Sequence, residues 1–185
     1  MSDCLVLGID PGSRITGYGL ILCSGPNHQL VEAGVWKSTD DDSAERLRQI
    51  LQSAMAFMRL HKPDALAIEA PFYGKNIQST LKLGRAQGVV IAAAFHHDIP
   101  VFEYAPRRVK QAITGNGNAS KEQVAAMMPV LLRDAPVSHL SIDATDALAV
   151  SLCHAFGLRH TTGIRPGPAN WSAFIKSHPE RVSGG

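Results

Sequence analysis

The chain has 185 residues, 45% of them hydrophobic, which is enough for one compact domain with a sizeable core and too little for a second of equal size. Eighteen Lys and Arg against sixteen Asp and Glu give a formal charge of +2, yet seven basic and two acidic side chains lie from Lys75 to Lys121, a local excess of +5 that suits either an anion or plain solvent. The longest apolar run, Val89 to Phe95, is too short for a bilayer, and Cys4, Cys23 and Cys153 lack zinc-site spacing, so the expectation is a soluble cytoplasmic protein with buried thiols and no membrane contact.

Three apolar runs open the chain: Cys4 to Ile9, Tyr18 to Cys23 and, after the turn Gly25-Pro26-Asn27, Leu30 to Trp36. Their short links predict an antiparallel meander. Leu47, Ile50, Leu51, Ala54, Phe57 and Met58 recur at helical spacing, so a helix is expected to about His61, with Asp42 and Glu45 as its capping pair. A strand Ala65 to Ile68, a helix Ile77 to His97 and a strand Val101 to Tyr104 read as a parallel strand-helix-strand unit. Helices follow near Arg107 to Ile113, Ser120 to Leu132 and Ile142 to Leu158, with Pro129 arguing against helix beyond it in the middle one. The domain is therefore expected over 1–160. The tail 161–185 has no periodic apolar face and reads as irregular or disordered.

Four acids sit among apolar residues: Asp10 after Leu5 to Ile9, Glu69 after Leu66 to Ile68, and Asp143 and Asp146 within Ile142 to Ala149. Ionised carboxylates in such surroundings are costly unless cations pair with them. Asp143 and Asp146, three apart, share a helical face. All-oxygen ligands favour hard ions such as Mg²⁺ or Mn²⁺ over zinc, and two such ions roughly 4 Å apart suit hydrolysis at phosphorus. Taken singly, each acid has a plainer reading: Asp10-Pro11-Gly12 as an ordinary turn, Glu69 as a salt-bridged strand end, Asp143 and Asp146 as first-turn helix acids. Only the joint pattern favours metal.

Phe72 and Tyr73 follow Glu69 on an expected loop, where rings stack on or wedge between bases, or else pack into the core. Lys75, Arg107, Arg108, Lys110 and Lys121 are candidates to neutralise phosphates, and Gly115-Asn116-Gly117 before Ser120 offers amides at a helix start. The histidines, His96, His97, His154 and His160 among them, read as structural or solvated.

Gly8-Ile9-Asp10-Pro11-Gly12-Ser13-Arg14 and Thr16-Gly17-Tyr18-Gly19 resemble the opening of the bacterial Holliday-junction resolvase family, RuvC. Ala67-Ile68-Glu69, Lys75-Asn76, Leu81-Lys82-Leu83-Gly84, Pro100 to Tyr104, Val109-Lys110-Gln111 and Asp143 to Ala149 resemble its later blocks in order, over Leu5 to about Phe156. The resemblance implies an RNase H-like α/β fold, a five-stranded mixed sheet flanked by helices, and a homodimer cooperating with a branch-migration motor. It maps the family's metal-binding acids onto Asp10, Glu69, Asp143 and Asp146, its junction-contacting aromatic onto Phe72, and its important lysines onto Lys110 and Lys121. Pro71 directly before Phe72 and the tail after Arg159 depart from the pattern.

The expectation is thus a resolvase acting on four-way DNA junctions. Each subunit would hold two Mg²⁺, replaceable by Mn²⁺, with Asp10 bridging them and Lys121 stabilising developing charge. A two-fold dimer puts one site on each of two like-polarity strands. Two rivals stand beside it: an ATP-using phosphotransferase of the related actin and sugar-kinase fold, which needs a second lobe and a further glycine-rich phosphate loop not visible here, and a junction-binding module without catalysis.

Overall fold

The computed structural model describes residues 3–71, 77–133, 135–137 and 139–161, with side chains described through 158. The chain divides into two units, Met1–Ala155 and Phe156–Gly185, and the core and site described below belong to the first. The tail expected to be irregular lies almost wholly outside the described residues.

Strands β1 (Cys4–Asp10), β2 (Ile15–Ser24) and β3 (Asn27–Lys37) form the expected meander. Gly25, with φ +58°, turns the chain between β2 and β3, a conformation that suits a residue without Cβ. Next come α1 (Ser43–His61), β4 (Ala65–Glu69), α2 (Ile77–His96) and β5 (Val101–Tyr104), with β4 parallel to both β1 and β5. The sheet order β3-β2-β1-β4-β5 is mixed and five-stranded, with β1 central. Helices α3 (Pro106–Thr114), α4 (Lys121–Leu131) and α5 (Ile142–Thr161) complete the order.

Two local expectations change. Asp42 caps α1, accepting from the Ala44 amide at 3.1 Å, but Glu45 does not close a capping box: it pairs with Arg48 at 3.0 Å, while the Asp42 amide is taken by Asp40 at 2.8 Å. In α4 the helix continues two residues past Pro129, because a proline near the last turn removes one amide whose loss so short a remainder tolerates. The full capping box of this molecule is at the start of α4, where Ser120 and Gln123 bond each other's backbone amides. Among the cysteines, Cys23 and Cys153 are buried as expected and Cys4 is half-buried.

Strand periodicity divides the two faces of the sheet. Leu7, Ile9, Leu20, Leu66 and Ile68 point to one face, where Ile50, Ala54, Phe57 and Met58 of α1 and Ala86, Val90, Ala93 and Ala94 of α2 complete a closed apolar cluster. The other face carries Gly8, Gly17 and Gly19, and there α5 lies directly on the backbone. A Cβ at Gly8 would fall 2.1 Å from the Ala147 carbonyl oxygen, and one at Gly17 would fall 2.0 Å from that of Asp143. Gly8 and Gly19 are register partners, as are Asp10 and Gly17. Missing side chains on β1 and β2 therefore admit the helix that bears two of the four acids. No helix among the described residues is long and apolar enough to cross a membrane.

Candidate active site

Asp10 and Glu69 are the last residues of β1 and β4, adjacent parallel strands, so their side chains leave the same edge of the sheet. Both share strand parity with Gly8 and Ala67 and thus face α5. Asp143 and Asp146 lie in the first two turns of α5, held against β2 by the Gly17 contact. Here the sequence explains the geometry: a buried apolar strand carries each acid to the sheet edge, and a helix start meets it there.

Electrostatics link the group. Burial, then the charges of Glu69 and Asp146 and more weakly Asp143, push the Asp10 carboxyl up to about 7 against the pull of Lys121. Glu69 is likewise pushed up to about 7, by burial and then by Asp146, with Lys121 and Lys110 acting in the opposite sense. Lys121, the first residue of α4, forms a hydrogen-bonded ion pair with Asp146, whose side chain is 14% exposed. Burial disfavours the charged ammonium, but that bond and the charges of Asp146, Asp10 and Glu69 outweigh it and raise its pKa. The site is thus an excess of negative charge with one ammonium inside it.

The four acids feel one another without closing on a single point. Among the described residues no three His, Cys, Asp or Glu side chains are arranged to hold an ion as they stand. Like charges repel, and Asp146 is drawn to Lys121 instead. The donor set, all carboxylate oxygen, is nevertheless that of a hard divalent cation.

Of the cationic positions singled out in the sequence, Lys110 is close enough to lower the Glu69 pKa and belongs to the site. Arg107 and Arg108 are exposed on α3. The Arg107 stem packs over Gly117, while Arg108 lies beside Tyr104 and Cys153, away from the carboxylates. Phe72, Tyr73 and Lys75 lie outside the described residues. His154 is structural: it is 3% exposed, bonds the Tyr104 hydroxyl through Nδ1 at 2.7 Å, and burial lowers its pKa.

Sequence reasoning did not single out the glycines that admit α5, although their alternation, Gly17 and Gly19 opposite Gly8, was a readable signal. Nor did it anticipate a cleft beside the site, of about 380 Å³, between α4 and the start of α5. That cleft is walled by Ala125, Ala126, Pro129 and Ile142 and reaches Lys121 and Asp146.

Known proteins share this fold. Residues 6–154 match the family model described as crossover junction endodeoxyribonuclease RuvC. The RuvC of Cytophaga hutchinsonii is 46% identical over 97% of this chain and 88% of its own length, and that of Porphyromonas gingivalis 46% identical over 96% of each. A solved Thermus thermophilus RuvC in complex with Holliday junction substrate superposes with a TM-score of 0.78 at 34% identity, covering 86% of this chain and 97% of its own. The yeast mitochondrial Holliday junction resolvase, 12% identical with a TM-score of 0.58, shares the fold. The sheet and helices are RNase H-like, and the chain belongs to the RuvC family of crossover junction endodeoxyribonucleases.

Proposed function

We propose that this chain resolves four-way DNA junctions, nicking two like-polarity strands symmetrically by cation-dependent phosphodiester hydrolysis, in the cytoplasm and as a homodimer. The observation that carries the reading is the electrostatic coupling of Asp10, Glu69, Asp143 and Asp146 at one sheet edge around Lys121.

The residues fit a hard divalent cation. Their donors are all oxygens, and two of them are pushed up to about 7 by burial and then by neighbouring carboxylates. Asp10, Glu69, Asp143 and Asp146 would hold Mg²⁺, two per subunit with Mn²⁺ as a substitute, and when bound it supplies a water acidified toward neutrality and neutralises charge on the phosphate oxygens. Lys121 orients Asp146 through its ion pair and offers its ammonium to charge developing on the phosphate. Lys110 and the exposed Arg107 and Arg108 draw in the backbone, with Phe72 as a further contact by family resemblance and Tyr73 and Lys75 as contacts by residue type and place in the sequence.

Dimerisation is supported by α2, which exposes Ile77, Leu81 and Phe95 at 75%, 59% and 64% along a face shared with Gly84 and Gly88. An apolar helical face of that length suits a copy of itself across a two-fold axis. Cooperation with a branch-migration motor is proposed from the family resemblance alone.

The test is incubation of purified protein with a labelled four-way junction and a matched linear duplex, with and without Mg²⁺. Paired nicks in the junction alone, and only with Mg²⁺, are expected. Binding without any product would leave the chain a silent junction binder and defeat the proposal.

A further inference from the structure

We propose that a second phosphate-binding recess lies on the opposite face of the sheet from the carboxylates, framed by Ser13, Ser43, Arg46, Lys82 and Arg85, and that it takes a phosphate of the DNA backbone. The proposal rests on the nuclease reading above.

Position supports it first. Ser13 lies three residues beyond Asp10, in the loop that leaves β1. Ser43 opens α1, and Lys82 and Arg85 are one turn apart on α2. Strand β3 runs parallel to β1 through its antiparallel partner β2, so α1, entered from β3, starts at the edge where β1 ends. The recess therefore borders the same edge as Asp10 and Glu69, and a backbone crossing that edge passes both.

Charge supports it next. Arg46 is 9% exposed, yet no carboxylate pairs with it: its Nη1 donates to the carbonyl oxygens of Asp40 at 2.8 Å and Asp41 at 2.7 Å. Lys82 and Arg85 are exposed and make no ion pair with any described residue. The neighbouring acids are already engaged: Asp41 with Arg14 at 3.6 Å, Glu45 with Arg48, Asp42 as the α1 cap and Asp40 on the Asp42 amide. No acid among the described residues lines the recess. A buried guanidinium balanced only by carbonyl dipoles, with two free cations beside it, is completed by an anion.

Size and donor type choose the anion. The recess has room for about one water-sized group, enough for a single phosphoryl oxygen with the rest of the phosphate outside its mouth, and too little for a base. Guanidinium, ammonium and two hydroxyls at its mouth are the donors that hold phosphate oxygens, and such contacts fix the position of DNA without reading its sequence.

The experiment measures binding of a labelled four-way junction in EDTA across a salt series, for the full chain and for Lys82→Gln/Arg85→Gln, whose two sites are exposed and leave the core intact. Arg59→Gln, in the last turn of α1 at its far end, is the control. The double variant is expected to bind roughly 10- to 100-fold more weakly at 0.1 M salt, with the slope of log K against log salt less steep by about 1 to 2, while the control is unchanged. Inorganic phosphate is expected to weaken junction binding by the wild type more than chloride does at equal ionic strength, and to lose that excess in the double variant. A double variant with unaltered affinity and slope, from a wild type that binds and cuts the junction, overturns the recess and leaves the nuclease reading standing. If phosphate competition is lost in that variant while junction affinity is kept, the recess serves a free anion and the proposal fails. A wild type that neither binds nor cuts the junction removes both readings.

Discussion

Replacing Gly17 by alanine tests how the site is assembled without touching any acid. The added Cβ would sit 2.0 Å from the Asp143 carbonyl oxygen and 2.5 Å from its carbon, about 1.4 Å short of the 3.4 Å where ordinary contact begins. Both neighbours are backbone, so either β2 or the first turn of α5 must give way. Overpacking of this kind costs about 1–3 kcal/mol, or roughly 2 to 12 °C in Tm for a chain of this size. Either movement changes the separation of Asp143 from Asp10, the register partner of Gly17, and a displacement of about 1 Å in a reacting geometry costs about 100-fold in rate. The comparison is Ile50→Val, fully buried on the α1 face, which costs about 0.5–1.5 kcal/mol and leaves the carboxylates in place. At a temperature where both variants are folded, single-turnover nicking is expected to fall about 100-fold for Gly17→Ala and to stay at the wild-type rate for Ile50→Val. Equal nicking by the two variants would refute the claim that the helix-to-strand approach at Gly17 sets the active geometry.

Further outcomes follow from the same geometry. Lys121→Gln should lower nicking by about 100- to 1,000-fold with junction binding largely kept, checked by pairing a rate assay with an equilibrium one. Asp10 and Glu69 titrate higher in the folded chain than their ordinary values of 3.8 and 4.5. Their contribution to stability is therefore fully present below about 4 and lost as pH rises through about 7, so the metal-free protein should melt lower at pH 8 than at pH 5. Asp10→Asn should flatten that fall and melt above wild type at pH 8, whereas an identical pH profile in calorimetry would count against the shift. Tyr104→Phe strands the buried Nδ1 of His154 and should cost about 1–3 kcal/mol in denaturant unfolding with nicking unchanged.

Much of this was legible because strand periodicity and apolar runs report burial directly. Asp10 and Glu69 at the ends of Leu5 to Ile9 and Leu66 to Ile68 could be placed from pattern alone, and both proved to end adjacent strands. Pairing across the sheet was less legible. That Asp10 lies opposite Gly17, and that Gly17 meets Asp143, depends on register and on the approach of a helix more than a hundred residues later. Local signals misled at the α1 cap, where Glu45 prefers Arg48, and the place of Arg108 beside Tyr104 and Cys153 is set only by the fold. Arg46 was invisible as an anion ligand, since its burial and its lack of a carboxylate partner arise only in the folded chain.

The most direct measurement compares nicking of a four-way junction in Mg²⁺ by Asp10→Asn, Asp146→Asn and the double variant. If these carboxylates act as one unit, each single change should cost at least about 100-fold and the double no more than the worse single, since a unit once broken has little left to lose. Full activity in either single variant, with the protein folded, would contradict that unity.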